Sequence, residues 1–133
     1  MIPDGFAPHR RSSPVTAPWE PIYARITPTA YVLGLIIGEP HTNSRGLLHG
    51  GVIAALADNA MGLSCALAYP EPRPLVTINL NVDYLGLAKL GQWLEVTTGF
   101  VQPGGTLAFA SCLVTADGKP CAKASATFRV LPA

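Results

Sequence analysis

One carboxylate, Asp58, stands in the middle of a stretch that is otherwise almost free of charge. No Lys or Arg lies between Arg45 and Arg73, and every residue from Gly51 to Ala57 is glycine or apolar. After Asp58 and Asn59 the apolar run resumes from Met61 to Ala68. A helix over this stretch is apolar on nearly all sides, and such a helix is wrapped by other structure. A buried carboxylate without a partner is costly. Asp58 is therefore the first candidate for chemistry, as a general base or a nucleophile.

The second candidate is the start of the same helix, near His49 or Gly50. The first N–H groups of a helix lack intrahelical partners and carry partial positive charge. Gly50 and Gly51 let a ligand oxygen approach that backbone closely, so the site suits a developing oxyanion. Asp58 lies eight residues beyond Gly50, or about 12 Å along the axis. A short Asp side chain cannot cross that gap. If both groups act on one carbonyl, they come from two antiparallel helices related by a two-fold axis, which requires a dimer with two equivalent sites.

The elements that must position these groups follow from the flanking patterns. Residues 1–30 hold six of the thirteen prolines and read as an irregular arm, anchored late through Trp19, Ile22 and Tyr23. The domain proper then covers 31–133. Tyr31 to Gly38 suits a strand buried on both faces. The helix runs to just before Pro70. From Leu75 the period is two: Val76, Ile78, Leu80, Val82 and Tyr84 share one face, and Thr77, Asn79, Asn81 and Asp83 the other. A turn over 86–91 leads to a strand from Trp93 to Val101 with Leu94, Val96 and Phe100 on one face. Two more strands follow, over 106–115 and 121–130. On the last, Ala122, Ala124, Ala126, Phe128 and Val130 alternate with polar residues, and the small alanines would let a helix lie close. Short turns favour antiparallel neighbours, so the expected fold is α+β, a curved antiparallel sheet wrapped round one helix.

Composition narrows the function. A net charge of +1 gives no electrostatic case for nucleic acid. The chain is 49% hydrophobic and 13% charged, which points to apolar surface buried between copies. The helix is long enough to span a bilayer, but Asp58 at its centre would cost about 2.5–3.5 kcal/mol and amphipathic strands follow, so no membrane span is expected. Cys65, Cys112 and Cys121 are widely spaced among apolar residues and read as reduced core thiols of a cytoplasmic protein. No secretory signal pattern opens the sequence.

Asn43, then His49-Gly50-Gly51, then Leu56-Ala57-Asp58, occur in order before the segments 76–91 and 106–111. This set resembles the hotdog-fold acyl-CoA thioesterases of the phenylacetyl-CoA (PaaI-like) branch over roughly residues 31–130. The resemblance implies that the thioester carbonyl is polarised by Gly50 N–H and Asn43. Asp58 of the opposing subunit would be base or nucleophile, and Thr77 would hold the water. It also implies that coenzyme A is held by Gly51, Asn79 and the turn Tyr84, Leu85, Gly86, Leu87, Ala88, Lys89, together with the hairpin Gln102, Pro103, Gly104, Gly105, Thr106, Leu107. No metal or cofactor is implied, and the expected assembly is a homodimer with shared sites, paired further into a homotetramer. Two departures stand out. Thr77 replaces a common Ser, and the hairpin carries no cation, which leaves Lys89 the nearer candidate for a phosphate.

Plainer readings compete. Asp58 can bond a neighbouring backbone in the core, and His49 can simply pack at the helix entry. Asn43 would be a turn residue and Thr77 an ordinary strand former. Arg45 stands beside the site. Met61, Leu63, Phe109 and the arm are the expected walls of the acyl pocket. A non-catalytic acyl-CoA sensor on the same fold would bind thioesters without turnover. A hotdog dehydratase would pair a His with an acid, and His49 and Asp58 fit that role less well than hydrolysis.

Overall fold

The computed structural model describes residues 1–133. The chain forms β1 (Ala7–Pro8), β2 (Tyr23–Ile26), β3 (Tyr31–Ile36), α1 (Gly50–Leu67), β4 (Leu75–Tyr84), β5 (Trp93–Gln102), β6 (Leu107–Ala116) and β7 (Lys119–Val130). All seven strands join one antiparallel sheet in the order β1-β2-β3-β5-β6-β7-β4. Helix α1 packs against β3 through β7 with Val52, Ile53, Leu56, Ala57, Ala60, Met61, Ser64 and Cys65. The inward residues of β7 are the alanines at 122, 124 and 126 with Phe128 and Val130, all buried. Their small size lets the helix sit close to the sheet, as the alternation requires.

Three expectations are corrected. The arm is not irregular throughout. Its residues 23–26 pair with 31–34 and residues 7–8 pair with 23–24, so a boundary at residue 30 falls inside a β-hairpin. Phe6 packs edge-on to Trp93 with ring centres 5.0 Å apart, and Trp93 in turn lies across Gly34. Apolar burial on the outer side of β3 thus draws the arm into the sheet despite its prolines.

The segment 85–92 is not a hairpin turn either. It carries the chain from β4, at one edge, across to β5 beside β3. It is pinned on the way: Leu85 and Gly86 N–H both donate to Cys121 O, Leu48 N–H donates to Ala88 O, and Ala88 is buried. Beta-strand pairing went instead to β7, whose small inward residues match β4.

The third correction concerns faces. β4 carries a bulge at Ile78: Thr77 pairs with Phe128, but Asn79 pairs with Thr127. A bulge inserts one unpaired residue and shifts the alternation. Leu75 and Thr77 therefore share the helix-facing side with Val130 and Phe128, and Leu80, Val82 and Tyr84 resume that side afterwards. Gly99 makes a similar bulge in β5. It turns Phe100 outward, 53% exposed, away from Leu94 and Val96.

Candidate active site

The His49 side chain starts the helix. Its Nδ1 accepts from Gly51 N–H at 2.8 Å, and its carbonyl accepts from Val52 N–H at 3.0 Å. His49 is the N-cap, in extended conformation, so the imidazole does what Ser or Asp usually does there. Gly51 N–H is thereby engaged within the chain, although Gly51 borders the pocket beside the helix start. Gly50 N–H has no acceptor in its own chain. It is the one first-turn donor left for an incoming oxygen.

The segment before the helix is braced on both sides. His41 is 5% exposed. Its Nδ1 accepts from Gly38 N–H at 2.9 Å and its Nε2 bonds Trp19 O at 2.8 Å. Its carbonyl accepts from His49 N–H. Asn43 holds the intervening loop, with Oδ1 accepting from Arg45 N–H at 2.9 Å and Leu47 N–H at 3.2 Å. That leaves its amide NH2 as the group able to donate. Tyr84 Oη donates to Gly50 O at 2.6 Å, and Lys89 pairs with Leu47. The segment 84–89 is thus brought to the start of α1.

Asp58 lies on the less buried side of the helix, with Gly51, Ala54, Ala55 and Gly62. It is not unpartnered. Thr77 Oγ1 donates to its Oδ1 at 2.7 Å. The bulge at Ile78 makes this contact possible, since simple alternation would turn Thr77 away from the side of Tyr84. A pocket of about 270 Å³ opens at this pair, lined also by Asn59, Leu63, Ala66 and Phe128. Arg11 and Arg73 line it too, and sequence reasoning passed over both. Their separation in the chain hides them, although the arm could be expected to cover the helix.

Several expected residues lie elsewhere. Met61 is fully buried in the core, and Phe109 faces outward opposite Gln102 and Thr127, so neither lines this pocket. Asn79 is exposed on the outer side of β4, paired with Thr127. The hairpin from Gln102 to Leu107 sits past the far end of α1, where Tyr69 Oη donates to Gly104 O at 2.6 Å. Eighteen helical residues, about 27 Å, separate it from the segment 84–89 in one chain. Asp58 and the helix start likewise line different pockets with no residue in common.

The cysteines take no part. All three are free and buried, and burial pushes the thiols of Cys65 and Cys112 up to about 11. They stay protonated and poorly nucleophilic at neutral pH. No three His, Cys, Asp or Glu side chains converge as metal ligands do.

A single long helix held by a curved antiparallel sheet is the hotdog fold of thioester hydrolases. Residues 45–122 match the family model Thioesterase superfamily, and the chain belongs to that family. It is 37% identical over 130 residues to PA0474 of Pseudomonas aeruginosa, which carries an esterase name, covering 97% of each chain. It is 38% identical to human acyl-coenzyme A thioesterase 13 over 69% of this chain and 66% of that one. Among solved structures, zebrafish thioesterase superfamily member 2 superposes with a TM-score of 0.76 at 30% identity, over 84% of this chain and 81% of that one.

Proposed function

We propose that this protein hydrolyses an acyl-CoA thioester, with an aryl or medium-chain acyl group, in sites built by two copies of the chain. The similarity to acyl-coenzyme A thioesterase 13 supports the choice of substrate class. The observation that carries the proposal is the division of the site. Asp58, bonded to Thr77 of β4, lies about 12 Å along the helix from the open Gly50 N–H, and its pocket shares no residue with the one beside His49 and Gly51. An antiparallel second helix puts Asp58 of one copy opposite Gly50 of the other. The same operation sends the 102–107 hairpin toward its partner's 84–89 segment, so the two segments expected to hold coenzyme A converge.

Two features support such pairing. The helix face around Asp58 is made of Gly51, Ala54, Ala55 and Gly62, small enough for close approach. Strand β4 is ten residues long and paired only to β7, and an open strand edge is a template for another strand. Outward apolar residues Phe100, Phe109 and Leu113 support a further pairing of dimers into a tetramer.

In this scheme Asp58 removes a proton from a water that donates to Thr77 Oγ1. The water oxygen adds to the thioester carbonyl, whose oxygen takes the negative charge and is held by Gly50 N–H and the Asn43 amide of the partner subunit. The intermediate expels sulfur as the C–S bond breaks, and Asp58 returns the proton to the thiolate. Direct attack by Asp58, giving an anhydride, is the second route. Single-turnover hydrolysis in heavy-oxygen water separates them, because only the second route leaves label in Asp58. Neither route calls for a metal or cofactor.

Mixing two disabled variants tests the shared site. Asp58→Asn removes the base. Gly50→Pro removes the N–H, and Pro is well tolerated at the first helical position. Each variant alone should fall by about 10²–10³-fold. After co-refolding, half the dimers are mixed and each has one intact site, so about a quarter of wild-type activity should return. No recovery in verified mixed dimers overturns the shared site. Tight binding of acyl-CoA without turnover by the wild type overturns hydrolysis in favour of a sensor.

A further inference from the structure

A pocket of about 360 Å³ opens beside the helix start, lined by Trp19, Pro40, Thr42, His49, Gly51 and Val52. His49 and Gly51 flank Gly50, and Gly51 N–H donates to His49 Nδ1 at 2.8 Å. Neighbouring Cα atoms are about 3.8 Å apart, so an oxygen held on Gly50 N–H sits at the edge of this space. Trp19 comes from the arm and is firmly placed. Its N–H donates to Thr16 O, and its carbonyl accepts from His41 Nε2 at 2.8 Å. Thr16 and His41 are both buried, and His41 O accepts from His49 N–H. With its backbone groups used in this way, what Trp19 has left to offer the pocket is its indole. That ring has no hydrogen bond or aromatic partner in its own chain, whereas the ring of Trp93 meets Phe6 and Tyr23 and its N–H donates to Glu95.

No Lys, Arg, Asp or Glu lines this pocket, so a phosphate of coenzyme A finds no cation there. The segments expected to hold coenzyme A, over 84–89 and 102–107, contribute nothing to the lining either. What remains for this space is the acyl side of the thioester. Its volume is that of a small-molecule site, and an indole supplies broad apolar contact at little cost in conformational entropy.

We infer that Trp19 is a specificity-determining residue: its indole walls an acyl pocket beside Gly50 and favours uncharged, apolar acyl groups long enough to reach the ring over short ones. This role rests on the hydrolase reading, but the wall is measurable without turnover.

The test compares acyl lengths. In hydrolysis, hexanoyl-CoA is set against acetyl-CoA. In binding, the hexyl thioether of coenzyme A is set against the methyl thioether, by calorimetry. In Trp19→Ala the long-to-short preference should fall about fivefold or more, in kcat/KM and in Kd, and Trp19→Phe should retain most of it. A merely structural role would weaken both lengths alike, and that outcome, like an unchanged preference, overturns the wall and leaves hydrolysis standing. Trp93→Phe leaves Trp19 as the only tryptophan, with the wall itself intact. The emission of that variant should move to shorter wavelength with the hexyl thioether and stay in place with the methyl thioether. An equal response to both overturns the wall. A length preference in binding that Trp19→Ala abolishes, without cleavage of any thioester by the wild type, supports the wall and overturns hydrolysis.

Discussion

Thr77 Oγ1 donates to Asp58 Oδ1 at 2.7 Å, although the two residues are nineteen positions apart and Thr77 sits on a strand whose later residues alternate the other way. The bond fixes the carboxylate and leaves the hydroxyl oxygen free to accept from a water. Hydrogen bonds to charged groups contribute about 1.5–3 kcal/mol, so Thr77→Val should lower kcat by about ten- to a hundredfold. Thr77→Ser keeps the hydroxyl and should stay within a few-fold of wild type. Steady-state rates of the pair decide it, and a near wild-type rate in Thr77→Val would show that the hydroxyl does not matter.

Tyr84 ties β4 to the start of the helix through Gly50 O. Tyr84→Phe deletes one hydrogen bond and should cost about 0.5–1.5 kcal/mol of stability, read from urea unfolding. Because the bond holds the backbone of Gly50, kcat should fall more than the small stability loss implies. An unaltered kcat would show that the helix start is positioned without it.

Gly34 lies under the indole of Trp93, and a Cβ there would overlap the ring. Gly34→Ala should destabilise by about 1–3 kcal/mol through overpacking and loosen the arm that Phe6 anchors to the same ring. Denaturant midpoints measure the first effect, and proteolysis near residue 10 the second.

His9 connects the arm to pH. Its Nε2 is buried without a partner, and burial, assisted by the Arg11 charge and opposed by Glu20, lowers its pKa below 6.5. The folded state thus favours the neutral ring. Its contribution is complete above pH 6.5 and is lost as pH falls through the lowered value. Hydrogen exchange or proteolysis of residues 5–12 should therefore quicken below pH 6.5, and His9→Phe should flatten that dependence.

The sequence made the central helix legible because apolar residues run unbroken around one acid, and the family legible because Asn43, His49, Gly50 and Asp58 follow one another in its order. The strands were legible as strands, and their neighbours were not. Short glycine-rich segments after β4 and after β5 look alike, yet one crosses the sheet and the other, over 103–106, is a hairpin. Only the fit of β4 against the alanines of β7 distinguishes them, and that is a tertiary fact. The bulges at Ile78 and Gly99 escaped a period-two reading, although a glycine within a strand, as at Gly99, is a usable signal. The arm's strands were masked by prolines, and with them Arg11.

The irregularity at Ile78 has one more consequence. It divides β4 into two segments whose inside-outside assignments are set independently, one by the carboxylate it serves and the other by the alanines it packs on. Deleting Ile78 would join Thr77, opposite Phe128, directly to Asn79, opposite Thr127, and so give a regular ladder with the hydroxyl at 77 still on the helix side. The meeting of Thr77 with Asp58 therefore depends on the register of β4 against β7, and the extra residue is what lets Thr77 and Leu80, three positions apart, share one side of the strand.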